Sequence, residues 1–377
     1  KFKIFIFYYE NVELKTERFD FTPTLKSTDD SITTDEDVPY TLTINDFGNI
    51  SESTKEFKIT EVPTNGKLTL SVTTGETIVD KEGNQTTVTQ DSKVEITKDQ
   101  IVTLAQVDAG KVEFVPNKDS DEDGQFKFQV GDGEKFSKTE YETEIIVNAV
   151  ADAPDLSIEL KSYTVEQNKD VADSYEMKIS AKLTDTDGSE SLSNISLDAS
   201  TFPEGTKIFD LSGKELISDN GKYNIILDEA GTSNVKLEGP KDFDTDGIQA
   251  NAISKDASTD DGTEEPSFAI SFAGGGEIDL SNLKDIVNLK EINLENGQKN
   301  DITDLKLDDV LALSTDNKIK ITGDEIDSVT LKNEEGKTWQ EGSSGTEDNK
   351  TFDVYTNSGD NTVQVKVEQP ISDGITN

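Results

Sequence analysis

Short runs of alternating apolar and polar residues, each closed by a Gly-, Asp- or Asn-rich turn, recur through most of this chain. A period of two sends successive side chains to opposite faces, so such runs read as half-buried β-strands. From residue 28 they include Phe57 to Val62, Lys67 to Val72, Val94 to Thr97, Lys111 to Val115, Gln125 to Val130 and Tyr141 to Val147. TNGK (64–67) and GDGEK (131–135) supply turns between them. Short strands with regular turns predict a β-sandwich. A second series follows, with Leu156 to Leu160, Tyr175 to Leu183, Ile195 to Leu197, Lys207 to Asp210, Tyr223 to Leu227, Val235 to Leu237 and Phe268 to Phe272. A hydrophobic fraction of 32% is too low for one large core, so several thin β-domains are expected.

Punctuation divides the chain. VNAVADAPDLSIEL (147–160) reads as a joint, because Pro154 cannot extend the preceding strand. AGGGEIDLSNLKDIVNLKEINLENG (273–297) brings recurrent Leu, Ile and Asn, and DITDLKLDDVLALSTDN (301–317) holds a short helix. The expected division is a segment or partial strand over 1–27, sandwiches over 28–150 and 151–272, and a mainly β or α+β module over 273–377. The opening KFKIFIFYYENVELK reads as a strand; Ile4 to Tyr9 is too short to span a bilayer and no small-residue cleavage site follows. A chain that begins at Lys1 reads as a fragment. Trp339, the lone Trp, is expected in the core of a small module rather than as a sugar-stacking platform.

Charge restricts the chemistry. Asp plus Glu number 78 against 36 Lys plus Arg, a formal net charge of −42. Nucleic acid and anionic lipid both need a basic face, so neither is an expected partner. There is no His and no Cys, which removes Ser-His-Asp and Cys-His catalysis, thiol chemistry, disulfides and the commonest zinc ligand. Two carboxylates suffice for a glycosidase, but no spacing singles out a pair, and no enzyme is expected. Abundant hard oxygen ligands suit calcium, which would also relieve self-repulsion. Salt adaptation is another source of acidity; the positive residues argue weakly against it, since nearly all are Lys and Arg18 is the one Arg.

The acid is concentrated in turns. Asp119, Asp121 and Asp123 precede Gly124, and Asp242, Asp244 and Asp246 precede Gly247, each a D-x-D-x-D-G frame. Such a frame sets alternate carboxylates around one loop, and Gly permits the sharp turn. A helical EF-hand would need Glu at the twelfth position, where Val130 and Ile253 stand instead, so these are not EF-hands. A shorter set is Asp185, Asp187 and Glu190 around Gly188. The bland reading of each is a solvated Asp–Gly turn. At the joints, Asp29, Asp30, Asp35, Glu36 and Asp37 precede the first sandwich, and Asp152 and Asp155 lie between the first and second. A cation there would convert a hinge into a rod; a charged linker extended by repulsion is the alternative.

The ordered phrases DDSITTDEDVPYTL, EVPTNGKLTL, GKVEFVP and FKFQVGDG resemble bacterial cadherin-like repeats. AKLTDTDGSESLSNISLDASTFPEGTKI and GPKDFDTDGIQ resemble immunoglobulin-like extender repeats of the same surface proteins. EIDLSNLKDIVNLKEINLENG, LKLDDVLAL, IKITGDEIDSVTL and DVYTNSGDNTVQVKVEQ resemble the C-terminal module of large adhesins of the RTX class, exported by type I secretion. The resemblance implies tandem cadherin-like and Ig-like sandwiches stiffened by Ca²⁺, a monomer outside the cell on a bacterial surface. It also implies attachment of the full-length protein to cells, glycans or abiotic surfaces, and a C-terminus read by the secretion machinery. A calcium-dependent carbohydrate-binding module is the alternative. GGGEIDLSN (274–282) departs from the calcium-binding nonapeptide and occurs once, so no β-roll is expected.

Overall fold

The computed structural model describes residues 2–10, 13–21, 24–75, 77–79, 85–87, 89–163, 174–240, 244–256, 266–283 and 286–376. Alternation in FKFQV, within the strand Gly124–Gly131, buries Phe126, Phe128 and Val130 and turns Lys127 and Gln129 outward. That strand is central to a five-stranded sheet ordered Ile101–Thr103, Glu56–Glu61, Gly124–Gly131, Tyr141–Asn148, Asp30–Asp35. Its last pair is parallel. A four-stranded sheet, ordered Tyr40–Thr41, Val112–Pro116, Gly66–Val72, Ser92–Glu95, shares one core with it. Phe47, carried on a 3-10 turn, stacks on Phe57 with ring centroids 3.9 Å apart. The mainly β fold expected from the alternation is what the structure shows. These sheets belong to the first of two compact units, Lys1–Val150, which also holds a separate hairpin of Phe2–Glu10 with Glu13–Phe21.

Among the described residues, the second unit, Ala151–Asn377, contains three sheets. One is antiparallel, ordered Asp155–Tyr163, Ser174–Lys182, Thr232–Glu238, Lys207–Asp210, Glu215–Leu216. The longest has ten strands. It begins antiparallel with Lys222–Asn224, Glu190–Asp198, Ile248–Asp256 and Ser267–Ala273. It continues parallel through Leu289–Asn293, Lys318–Thr322 and Asp360–Glu368, and closes with the antiparallel Lys350–Asn357 and its partners. The third sheet is parallel throughout: Gly276–Ile278, Asn300–Leu305, Ser328–Lys332 and Ser372–Thr376.

The chain alternates between the two parallel ladders, so four strand pairs stack as coils. Register places Ile270, Ile292, Ile321 and Val367 in one buried column, and Ile278, Ile302 and Val329 in another. Each such side chain contributes roughly 1.5–3 kcal/mol by leaving water. The expectation concerned a calcium roll wound by nonapeptides; here strands wind and stack without the nonapeptide. Stacked apolar columns hold the coils, and Gly274 makes the first corner at φ +78°, where a Cβ would lie 2.2 Å from the carbonyl oxygen of Thr245. The helix Leu307–Leu313 buries Leu307, Val310 and Leu313 against this core, which also holds Trp339.

The boundary expected at 272/273 falls within the strand Ser267–Ala273, and one sheet runs across it. Ala269 and Ala273 enter the core of the antiparallel sandwich, whereas Ile270 and Phe272 enter the core of the coils. SFAISFA reads as a nearly continuous apolar run because both faces are buried.

Candidate metal centre

In the first unit, acidic side chains meet where the chain leaves it. Asp37 and Asp119 both have left-handed backbones, with φ 57° and 50°. The backbone N–H of Asp119 donates to Asp37 Oδ1 at 3.0 Å. Asp119 Oδ1 is buried and accepts no hydrogen bond, while Lys118 Nζ lies 3.3 Å from Oδ2. Burial pushes the Asp119 carboxyl above its ordinary range; Lys118 opposes this and Asp37 adds to it. Glu36 is buried, and its Oε1 accepts the N–H of Val150 at 2.6 Å. Asp35 Oδ1 accepts from Asn148 Nδ2 at 3.0 Å, and Asp123 Oδ1 from the N–H of Val147 at 2.9 Å. Asp121 is half-buried in the same loop. Asp29 and Asp30 lie at the other end of the strand, where Asp29 Oδ1 accepts the N–H of Glu142, and do not join this group.

The second unit has its own acidic group where its chain begins. The backbone N–H of Asp152 donates to Glu190 Oε1. Glu190 stands directly opposite Asp256 on the neighbouring antiparallel strand, and both are buried. Asp185, also buried, accepts the N–H of Asp187 at 2.8 Å and the hydroxyl of Ser189 at 3.0 Å. These Asx turns fold the loop DTDGSE back on itself. Thr184 Oγ1 donates to the carbonyl of Ala153 at 3.0 Å, which ties the loop to the unit's first residues.

The remaining expected ligands have other partners. Asp155 pairs with Lys182 at 3.1 Å, directly opposite it in the sheet. Asp242 lies outside the described residues. Asp244 Oδ1 accepts the N–H of Asp246, and Asp246 Oδ1 accepts the N–H of Gly275 at 3.1 Å. This pair braces the first corner of the coils. Nothing in the sequence signals a second buried acid opposite Glu190: Asp256 follows ISK with no Gly turn, and only the register shows the pairing.

Calcium takes six to eight oxygens, and each group offers carboxylates beside backbone carbonyls. A buried carboxylate oxygen with no donor, and like charges opposed across a strand pair, are both relieved by a cation. The residues present therefore fit Ca²⁺. Trp339 is buried in the coil core, away from sugar-stacking exposure. Among the described residues, no helix is long and apolar enough to cross a membrane.

A scan against protein-family models finds no match. No curated protein matches. Among solved structures, the endo-fucoidan hydrolase MfFcnA4 of glycoside hydrolase family 107 is similar at 8% identity and TM-score 0.17, and a point variant of it at 10% and 0.17. Each alignment covers 71% of this chain and 33% of the other, so the chain spans about a third of those structures. Likeness at that TM-score carries no argument about fold or chemistry.

Proposed function

We propose that this chain is a calcium-stiffened extender and C-terminal portion of a secreted bacterial surface adhesin, with no catalytic role. One observation carries the reading: Asp119 presents a buried carboxylate oxygen without a hydrogen-bond donor, beside a second carboxylate from Asp37. Asp37 and Asp119 would contribute ligands to a cation in the first unit. Asp185 and Asp187, whose loop is folded by its own Asx turns, would contribute ligands in the second. Bound calcium would supply positive charge, and the protein's oxygens would coordinate it. The residues do the rest: Glu36 fixes the backbone at Val150, Glu190 fixes it at Asp152, and neutralised neighbours stop pushing those segments apart.

Extracellular sites of this kind bind with dissociation constants of about 10⁻⁴ to 10⁻³ M. They would be empty inside a cell, where a looser chain suits export, and full outside it. The adhesive target, the monomeric state, the extracellular location and export through a type I machinery rest on the family resemblance. The test is thermal unfolding of the whole chain in chelator, in ~2 mM Mg²⁺ and in ~2 mM Ca²⁺. A large upward shift with calcium alone supports the reading. Identical curves in all three would mean that the acidic turns are solvated and the calcium assignment is wrong.

A further inference from the structure

Two connections cross between the sheets of the first sandwich at the same end. One, residues 62–65, leaves the strand Glu56–Glu61 of the five-stranded sheet and enters Gly66–Val72 of the four-stranded sheet. The other, residues 117–123, returns from Val112–Pro116 to Gly124–Gly131 and carries the acidic loop. Register sets Gly66 opposite Pro116 and Glu61 opposite Lys127, so the two connections lie side by side.

Asn65 stands between them and is 1% exposed, a rare setting for an amide side chain. Its backbone carbonyl accepts the N–H of Asn117 at 3.0 Å, and the carbonyl of Thr64 accepts from Asn117 Nδ2 at 3.3 Å. Asn65 Nδ2 donates to the carbonyl of Glu122 at 2.8 Å. The amide cannot be turned over, because Oδ1 would then face the Glu122 carbonyl. As placed, Oδ1 is buried, has no donor among the described residues and lies against Gly124. A Cβ on Gly124 would come within 2.2 Å of it. Gly124 has no positive φ, so the glycine that ends this D-x-D-x-D-G frame is there for space beside Asn65 rather than for a sharp turn.

We infer that Asn65 is the positioning residue of the first unit's cation site, an inference that rests on the calcium reading of Asp37 and Asp119. Its grips at Asn117 and Glu122 hold both ends of the stretch 118–121. Asp119 lies between them in its left-handed conformation. An acidic loop free at its ends would spread by self-repulsion and lose chain entropy when a cation arrives. A loop gripped at both ends has already lost that entropy on folding, so its carboxylates meet the ion pre-organised. Groups that orient metal ligands without touching the ion typically change affinity by about 10–100-fold. Asn65 carries no charge, so its removal acts on the loop's shape and leaves the charge of the site unchanged.

The test is hydrogen exchange, read by mass spectrometry on the whole chain, across free calcium from chelator to ~30 mM. Peptides spanning 117–124 report the first unit and peptides spanning 185–192 the second. Asn65→Ala should raise the calcium midpoint of 117–124 about tenfold and leave that of 185–192 in place. Asn117→Ala, at an exposed position, removes only the bond to Thr64 and should shift the same midpoint less. Should Asn65→Ala fail to fold, Asn117→Ala decides by that midpoint. Val72→Ala, buried at the far end of the strand Gly66–Val72, should lower the melting temperature and leave the midpoint alone. An unchanged midpoint in the asparagine variants, or an equal shift in Val72→Ala, would overturn the inference while the calcium reading stands. A parent chain with no calcium-dependent protection at 117–124 would overturn both.

Discussion

Glu190 and Asp256 face one another across an antiparallel strand pair, both buried, and Glu190 also holds the N–H of Asp152. Like charges in that position cost folding free energy unless something neutralises them. Asp256→Asn should therefore stabilise the chain in chelator by about 0.2–1 kcal/mol. Melting curves of both proteins, with and without calcium, check this. A variant that is less stable than the parent in chelator would speak against repulsion.

Asp119 makes a pH-dependent version of the same point. Burial raises its folded pKa above the ordinary 3.8. The folded chain then holds that proton more tightly than the unfolded chain does. The contribution favours folding below pH 3.8 and is lost as pH rises through the folded value. In chelator, Asp119→Asn should be more stable than the parent at neutral pH, with the difference shrinking toward about pH 4. Thermal midpoints of the two proteins across that range decide it.

Phe47 is fully buried and stacks on Phe57 at 3.9 Å. Phe47→Ala removes a ring from the middle of the first unit's core, and a loss of about 3–5 kcal/mol is expected in urea unfolding. Trp339 lies in the second unit, so its fluorescence should report that unit's unfolding and be insensitive to this substitution.

Gly274 adopts φ +78°, and an added Cβ would meet the carbonyl of Thr245 at 2.2 Å. Gly274→Ala should destabilise the first coil by more than about 1 kcal/mol. Faster hydrogen exchange in Gly276–Ile278 and Asn300–Leu305, relative to the first unit, is the expected signature.

Strands and turns were legible because they are local: FKFQV alternates, and Asp–Gly pairs mark loops. The acidity of the 119–124 loop and of residues 35–37 was legible for the same reason. What could not be read was register. Nothing in ISKD says that Asp256 will stand opposite Glu190, since their pairing spans more than sixty residues of chain. Asp155 looked like a companion of Asp152, but its register sets it on Lys182. The coils were not legible because no nonapeptide repeats mark them and stacking is held by Ile270, Ile292, Ile321 and Val367, spaced unevenly along the sequence.

The strand Ser267–Ala273 is a party wall. Its alanines fill one compartment and Ile270 and Phe272 fill the other, so neither compartment keeps its lining if the wall is pulled out. Two compartments that share a wall should yield under load as a single breakable piece over residues 151–377, and a protease should find no early cut near 273.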